Sequence, residues 1–195
     1  MEACCICQSN LGKPVYESSA PFSITSLCQV LEGRTRVWHC EECGHTQTAS
    51  LPALEKFYAE DYHILTDSEE EDQLYEVRGS EKIFRTEHQV ATLLEKVNLP
   101  VNARVLDYGC GKASTLKGLC GRRDDVVPFV FDVGEQYRPF WNDFVPATNQ
   151  AISEVPVRWA GQMDAVLSFF ALEHVTDPRA FVCAVHGLLK EGGAF

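Results

Sequence analysis

The chain has 195 residues, 45% of them hydrophobic, and a formal net charge of −11. This length fits one medium domain, or one domain with a small module, and the hydrophobic fraction is ordinary for a globular protein. An acidic chain lacks the basic surface that extended nucleic-acid binding needs, and its apolar runs are much shorter than the roughly 20 residues of a membrane helix. The N-terminal sequence has neither the basic start nor the apolar run of a signal peptide, so we expect a cytoplasmic protein.

Two cysteine pairs lie in the first 50 residues. Each has the Cys-x2-Cys spacing, with Cys4 and Cys7 in the first pair and Cys40 and Cys43 in the second. Such pairs supply four thiolates to a tetrahedral zinc ion, and without an export signal the spacing favours metal over disulfides. We predict a structural zinc module over 1–50, in which Cys5 is a less well spaced alternative to Cys4. The competing interpretation is two unrelated pairs of buried thiols.

Residues 51–100 are predicted to form a helical connector or lid. Ser68 and Glu71 have the spacing of a capping box for a helix that runs through Tyr75. A second helix with one apolar face is predicted over 81–97. The acidic side chains clustered in this segment are interpreted as a solvated helix start.

From residue 101 onward, short apolar strands alternate with helices, a pattern that predicts a parallel α/β sheet. The expected strands are 103–108, 126–132, 147–152 and 164–170, and the expected helices are 114–120, 136–144 and 178–189. Gly192-Gly193 is predicted to end the last helix, and Ala194-Phe195 to begin another strand.

A glycine turn follows the first of these strands. The strand ends in Asp107, and the turn continues as Tyr108-Gly109-Cys110-Gly111. Glycines let the backbone approach a ligand closely, and open α/β sheets bind ligands at this edge. Asp132 ends the next strand, at about the separation where a carboxylate accepts the ribose hydroxyls of a nucleotide cofactor. The turn alone is compatible with a purely structural role, but the ordered set of features predicts a nucleoside cofactor.

The cofactor class follows from the rest of the turn. Ser114 stands where a dinucleotide fingerprint has its third glycine, which disfavours a nicotinamide oxidoreductase. An acid two positions before the first glycine resembles motif I of class I S-adenosylmethionine-dependent methyltransferases. Residues 164–175 and 188–193 resemble the same family's fourth strand with its loop and its turn into strand five. The resemblance covers 103–195 and implies S-adenosylmethionine on a Rossmann-like sheet.

The resemblance also implies roles for individual residues. It places Asp107 and the turn Gly109-Cys110-Gly111 at the methionine end of the cofactor, Asp132 at the ribose, and Val133 with Phe131 beside the adenine. Glu173 and His174 follow the fourth strand, where an acceptor would enter. An imidazole has the pKa range of a general base, so this pair is the catalytic candidate. The alternative is that the pair shapes the loop or contacts the cofactor.

A zinc module ahead of such a domain resembles the sugar C-methyltransferases, which implies a small-molecule acceptor such as a nucleotide-linked sugar. Ribosomal RNA methyltransferases with a zinc module are an alternative, which the acidic charge disfavours. The family's sheet has seven strands, so domain 101–195 is expected to be incomplete at its C-terminus. A non-catalytic cofactor-binding or interaction module is therefore a further alternative, and uncovered surface would favour oligomers.

Overall fold

The computed structural model describes residues 2–25, 28–49 and 72–195. Among these residues, no helix has both the length and the apolar character needed to cross a membrane. The N-terminal part contains five short strands: β1 (Tyr16–Glu17), β2 (Phe22–Ile24), β3 (Val30–Glu32), β4 (Arg36–His39) and β5 (Thr46–Thr48). Strands β1, β4 and β5 form an antiparallel sheet in that order, and β2 pairs with β3.

The buried interior of this N-terminal part is very small. Among the residues that the structure describes there, it consists of Cys4, Leu11, Trp38 and Cys40, with Ile6 packed against them. A core of this size buries too little apolar surface to stabilise a fold alone, and small modules of this kind need a metal or disulfides. All nine cysteines are free thiols.

The first described part of the connector differs from the predicted helices. Strands β6 (Leu74–Arg78) and β7 (Glu81–Phe84) form an antiparallel hairpin. The prediction of a helix through Tyr75 is therefore wrong. The two-residue turn between the strands places Gly79 at φ +65°, a conformation that suits a hairpin turn and not a helix. The remainder of the predicted connector, 51–71, lies outside the described residues.

Helix α1 (Arg85–Lys96) begins four residues later than predicted. Phe84 occupies its N-cap, so the predicted helix start at residue 81 is wrong. The helix instead gains its first-turn support from Asp72, whose Oδ2 accepts a hydrogen bond from the Thr86 amide at 2.9 Å. The cap is thus supplied by a residue 14 positions earlier, a contact that no local sequence pattern encodes.

The C-terminal part is a five-stranded parallel sheet with helices on both faces, as predicted. Its strands are β8 (Arg104–Tyr108), β9 (Val127–Asp132), β10 (Gln150–Ile152), β11 (Met163–Leu167) and β12 (Leu189–Ala194). Helices α2 (Ser114–Arg122) and α3 (Pro178–Leu188) connect strands, and 3-10 turns occupy Glu135–Phe140, Ala147–Asn149, Val157–Trp159 and Leu172–His174. The strand order is β10-β9-β8-β11-β12, all parallel.

The chain moves outward from β8 to β10 and then returns to the other side of β8. The order of connections therefore reverses between β8 and β11, and open α/β sheets bind ligands at this reversal. Neighbouring residues along a strand belong to hydrophobic clusters on opposite faces of the sheet. Val105 packs in the cluster that includes residues of α1 and α2, and Leu106 packs in the cluster that includes residues of α3. Burial on both faces explains why these strands are continuously apolar in sequence.

Several predicted boundaries differ from the structure. The strand expected over 147–152 forms only at Gln150–Ile152, after a 3-10 turn at Ala147–Asn149, and the strand expected over 164–170 ends at Leu167. The segment expected as a helix over 136–144 is a 3-10 turn over Glu135–Phe140, because Pro139 lacks the amide that an α-helix needs. Helix α3 ends at Leu188, and β12 runs through Gly192-Gly193 where the helix was expected to end. Pairing with β11, together with the Lys190–Asp164 ion pair at 2.7 Å, holds this segment as a strand.

Candidate functional site

The glycine turn lies between β8 and α2, at the carboxyl end of the sheet. Gly109 has φ +75° and Gly111 has φ +50°, both in the left-handed region that favours glycine. The amides of Gly109 and Cys110 donate to the Phe131 carbonyl at 2.8 and 3.1 Å, which joins the turn to the end of β9. A Cβ on Gly109 would lie 2.9 Å from the Cβ of Ala171, so only glycine fits there without displacing the loop after β11.

Asp132 connects the two turns that follow β8 and β9. Its Oδ2 accepts a hydrogen bond from the Gly111 amide at 2.7 Å, and its Oδ1 accepts one from the Gly134 amide at 2.9 Å. An ionised carboxylate has about four acceptor positions, so this one can still accept hydrogen bonds from a diol. The carboxylate that the resemblance assigns to the ribose is thus also a structural element of the turn.

Among the acids of the site, Asp107 has the pKa that differs most from its ordinary value. Burial, and secondarily the negative charge of Asp132, raise the pKa of Asp107 to about 7. Burial also raises the pKa of Asp132, although hydrogen bonds from the Gly134 and Gly111 amides oppose the shift. Two carboxylates withdrawn from water favour a cation beside them. The ammonium and sulfonium groups of S-adenosylmethionine are cations of that kind, so the residues present fit this cofactor.

The remaining predicted cofactor residues adjoin this pair. Burial raises the pKa of Cys110 well above its ordinary value, so its thiol is neutral. Val133 follows Asp132 directly and is 43% exposed, in keeping with a position against a ligand. The structure therefore brings together the acids and the glycine turn predicted from sequence, together with Cys110 and Val133.

The loop after β11 lies against the glycine turn. The Ser168 hydroxyl donates to the Tyr108 carbonyl at 2.8 Å, and Phe170 has an unusual φ of +56°. The Arg85 guanidinium lies 4.6 Å from the centre of the Phe170 ring, which connects this loop to the start of α1. Left-handed backbone is strained for a bulky side chain and often marks functional loops.

Glu173 and His174 lie in the 3-10 turn Leu172–His174 of the same loop. Glu173 is exposed and His174 is half-buried. Ala171, which precedes this 3-10 turn, is the residue whose side chain approaches Gly109. Their catalytic role stays a prediction.

Four cysteines of the N-terminal part form a compact cluster. The sulfurs of Cys4, Cys7, Cys40 and Cys43 all lie within 4.8 Å of one another. Cys4 Sγ is 3.6 Å from Cys43 Sγ, and Cys7 Sγ is 3.5 Å from Cys40 Sγ. Thiolates around tetrahedral zinc stand about 3.8 Å apart, since each Zn–S bond measures roughly 2.3 Å. The arrangement fits a four-coordinate zinc ion.

The structure assigns Cys4, and not Cys5, to this cluster. Cys5 points elsewhere: its sulfur is 3.3 Å from His45 Nε2, and its amide donates to Gln47 Oε1 at 2.9 Å. Hydrogen bonds with Ser9 lower the pKa of Cys7 to about 6, whereas burial and contacts with the other cluster sulfurs raise the pKa of Cys43, against the hydrogen bond from the His45 amide. A cluster of four sulfurs leaves no open coordination position, so it suits a structural ion.

Sequence reasoning missed Trp141, which contacts the turn from the segment after β9. Its indole Nε1 donates a hydrogen bond to the Gly111 carbonyl at 2.7 Å, and the side chain is completely buried. It also missed the contact of Arg85 with Phe170. No sequence pattern indicates either, because the partners are 30 and 85 positions apart and only the tertiary fold brings them together.

Two hollows lie on the C-terminal part of the structure, and one of them adjoins this site. A groove of about 390 Å³ on the α3 face is lined by Phe131, Glu154 and Leu188, among others. A second hollow of about 410 Å³ lies at α1 and α2, beside Phe84 and Arg122. Tyr108 of the glycine turn also lines the groove, and Phe131 is the residue expected beside the adenine. Neither hollow is lined by Asp107 or Asp132, so we assign the site by its chemistry and not by cavity size.

The fold and the site define a Rossmann-like α/β domain of the methyltransferase type. A family model described as a methyltransferase domain matches residues 81–195, more than half of the chain. The chain therefore belongs to the methyltransferase domain family.

Curated relatives match about half of the chain. A ubiquinone biosynthesis O-methyltransferase of Xanthomonas axonopodis pv. citri (strain 306) is 33% identical over 99 residues, which is 48% of this chain and 41% of that protein. Its counterpart in Xylella fastidiosa (strain M23) is 35% identical over 96 residues, 47% of this chain and 39% of that protein. The chain thus spans about two fifths of the length of these relatives.

Solved structures resemble a similar share of the chain. An S-adenosylmethionine-dependent methyltransferase from Thiobacillus denitrificans, in complex with S-adenosyl-L-homocysteine, matches with a TM-score of 0.40 and 20% identity over 54% of this chain and 45% of that chain.

Proposed function

We propose that this protein is an S-adenosylmethionine-dependent methyltransferase that acts on a small molecule. The observation that carries the proposal is the pair of buried acids, Asp107 and Asp132, at a glycine turn where the sheet reverses its order. Membership of the methyltransferase domain family supports the same cofactor.

Each part of the site has a role in this proposal. When bound, S-adenosylmethionine supplies a methyl group that its sulfonium has already activated, so the protein chiefly positions the reactants. Asp107 stabilises the cationic methionine end, and Gly109 with Gly111 allows close backbone approach. Asp132 accepts the ribose hydroxyls on its remaining lone pairs, and Val133 contacts the adenine.

His174 and Glu173 are proposed to face the acceptor. An oxygen or carbon acceptor must lose a proton as it takes the methyl group, and a half-buried imidazole can accept that proton at Nδ1 or Nε2. Glu173 is exposed and precedes it, so its charge can stabilise the imidazolium that results.

The acceptor itself belongs to one of two classes. The zinc module ahead of the domain resembles the sugar C-methyltransferases and supports a nucleotide-linked sugar. The other class is an aromatic hydroxyl. The curated relatives are O-methyltransferases, which supports an oxygen acceptor. Three apolar side chains of the loop after β11 are exposed and support an aromatic one, namely those of Phe169, Phe170 and Leu172.

We also propose that the cysteine cluster binds structural zinc, supported by the sulfur distances and by the small core of this module. The proposed division is a zinc module over 1–50, a connector over 51–100 and the cofactor-binding domain over 101–195.

Methyl transfer tests the proposal directly. The protein is incubated with tritiated S-adenosylmethionine and either nucleotide-linked deoxysugars or catechols, and labelled product is counted. We expect label in one acceptor class, and His174→Ala to lower turnover about 100-fold, the lower end of general-base contributions. His186→Ala, on an exposed position of α3, is the matched control and should leave turnover unchanged. Equal turnover in both variants would exclude His174 as the base, and label in neither class would count against a small-molecule acceptor of these kinds.

A further inference from the structure

Two buried side chains form hydrogen bonds with the backbone of Gly111, one with its amide and one with its carbonyl. Its amide donates to Asp132 Oδ2 at 2.7 Å, and its carbonyl accepts from Trp141 Nε1 at 2.7 Å. Trp141 has no exposed surface, and Gly111 is buried as well. Both hydrogen bonds therefore form away from water, where losing one partner leaves an unsatisfied polar group.

The backbone beside these contacts includes a conformation that is unfavourable for a residue with a Cβ atom. Gly111 has φ +50°, and two residues later Ala113 also lies in the left-handed region, at φ +55°. Ala113 is the N-cap of α2, and its side chain makes no capping hydrogen bond. Backbone of this kind persists only where its surroundings enforce it.

The 3-10 segment after β9 provides that enforcement. The chain leaves Asp132, passes through Glu135–Phe140 and arrives at Trp141, and Phe140 lies 5.2 Å beneath the Lys112 ammonium. Phe140 thus contacts Lys112, and the next residue, Trp141, contacts Gly111.

We propose that Trp141 is a positioning residue for the cofactor-binding turn. Its side chain is completely buried and donates to the Gly111 carbonyl. Through the Gly111 carbonyl it fixes the orientation of the turn, so that Asp132 retains lone pairs for the ribose and the glycines stay open to the methionine end. This inference rests on the proposed function, because it assumes that the turn binds S-adenosylmethionine.

The chain contains a matched control. Trp159 is also buried, but it lies on the α3 face of the sheet, in edge contact with Phe129 at 5.2 Å between ring centres. Replacing either tryptophan by phenylalanine removes the same atoms from a buried position. Only Trp141→Phe removes the hydrogen bond to Gly111.

The test compares S-adenosylhomocysteine binding by calorimetry and unfolding by urea in wild type, Trp141→Phe and Trp159→Phe. We expect Trp141→Phe to weaken binding about tenfold, the effect of one lost buried hydrogen bond, and Trp159→Phe to bind as wild type does. Equal affinity in both variants would overturn the role of Trp141 and leave the proposed function intact. Absence of binding by folded wild type would instead overturn the proposed function.

A measurement on unaltered protein covers the case in which Trp141→Phe does not fold. In ¹⁵N-labelled wild type, the indole N–H resonance of Trp141 should shift when S-adenosylhomocysteine binds, whereas that of Trp159 should not. Binding that leaves the Trp141 resonance in place would contradict the proposal.

Discussion

At the scale of residues, the unusual feature of this site is a carboxyl group that is half-protonated near neutral pH. Burial beside Asp132 raises the pKa of Asp107 to about 7. In the unfolded chain the group ionises near its ordinary value of 3.8. Its contribution to stability is therefore complete below pH 3.8 and is lost as the pH rises to about 7. A bound cation would reverse this loss.

The first prediction concerns pH. Because the ionised form of Asp107 attracts the cofactor's ammonium group, S-adenosylhomocysteine should bind about tenfold more tightly at pH 8 than at pH 6. The stability of the ligand-free protein should change in the opposite direction, so that urea unfolds it more easily at pH 8 than at pH 6. Asp107→Asn should abolish both dependences, and Asp124→Asn, at an exposed position, should keep them. Calorimetry and urea titration at the two pH values test this, and a wild-type affinity independent of pH would contradict it.

The second prediction concerns Gly109. Gly109→Ala places a Cβ at 2.9 Å from that of Ala171 in a backbone with φ +75°. Gly161→Ala is the control, because Gly161 has φ +62° but nothing within 4 Å of an added Cβ. Both variants should lose about 1 kcal/mol of unfolding free energy from the backbone conformation. Only Gly109→Ala should also lose affinity for S-adenosylhomocysteine, and equal affinities would show that the contact with Ala171 is unimportant.

At the scale of elements, the N-terminal strands depend on the cysteine cluster more than on their own packing. Four buried residues form their whole described core, and two of those are the cluster cysteines Cys4 and Cys40. Metal binding and folding of such a module are therefore expected to be one event.

The third prediction is that zinc removal unfolds this module. Purified protein should contain about one equivalent of zinc, and a chelator should expose the buried Trp38 to solvent. Cys40→Ser should bind much less zinc, whereas Cys28→Ser, an exposed cysteine outside the cluster, should bind as wild type does. Elemental analysis and tryptophan fluorescence measure the two effects. Less than half an equivalent of zinc in freshly reduced protein would contradict the assignment.

At the scale of the whole molecule, the sequence predicted what local patterns control. Strands β8, β9 and β11 are apolar runs bounded by turns, and the glycine turn follows from residue types that tolerate positive φ. The four cluster cysteines were likewise predictable, because ligand spacing is a local property.

Long-range contacts explain what the sequence did not predict. The hairpin of β6 and β7 lies where a capping-box spacing and an apolar face predict two helices, whereas strand pairing decides the outcome. Segment β12 was divided between a helix end and a strand start, although pairing with β11 makes it one strand. The indole of Trp141 reaches the turn across 30 positions, a contact that only the assembled sheet creates.

The central claim is that the turn at Asp107 and Asp132 binds S-adenosylmethionine. Calorimetric titration of the folded protein with S-adenosylhomocysteine tests it most directly, with Asp132→Ala as the variant and Asp124→Ala as the control. We expect one site in wild type and in the control, and affinity at least tenfold weaker in Asp132→Ala, because hydrogen bonds to a charged carboxylate are lost. No binding by well-folded wild type, or the same affinity in Asp132→Ala, would contradict the claim.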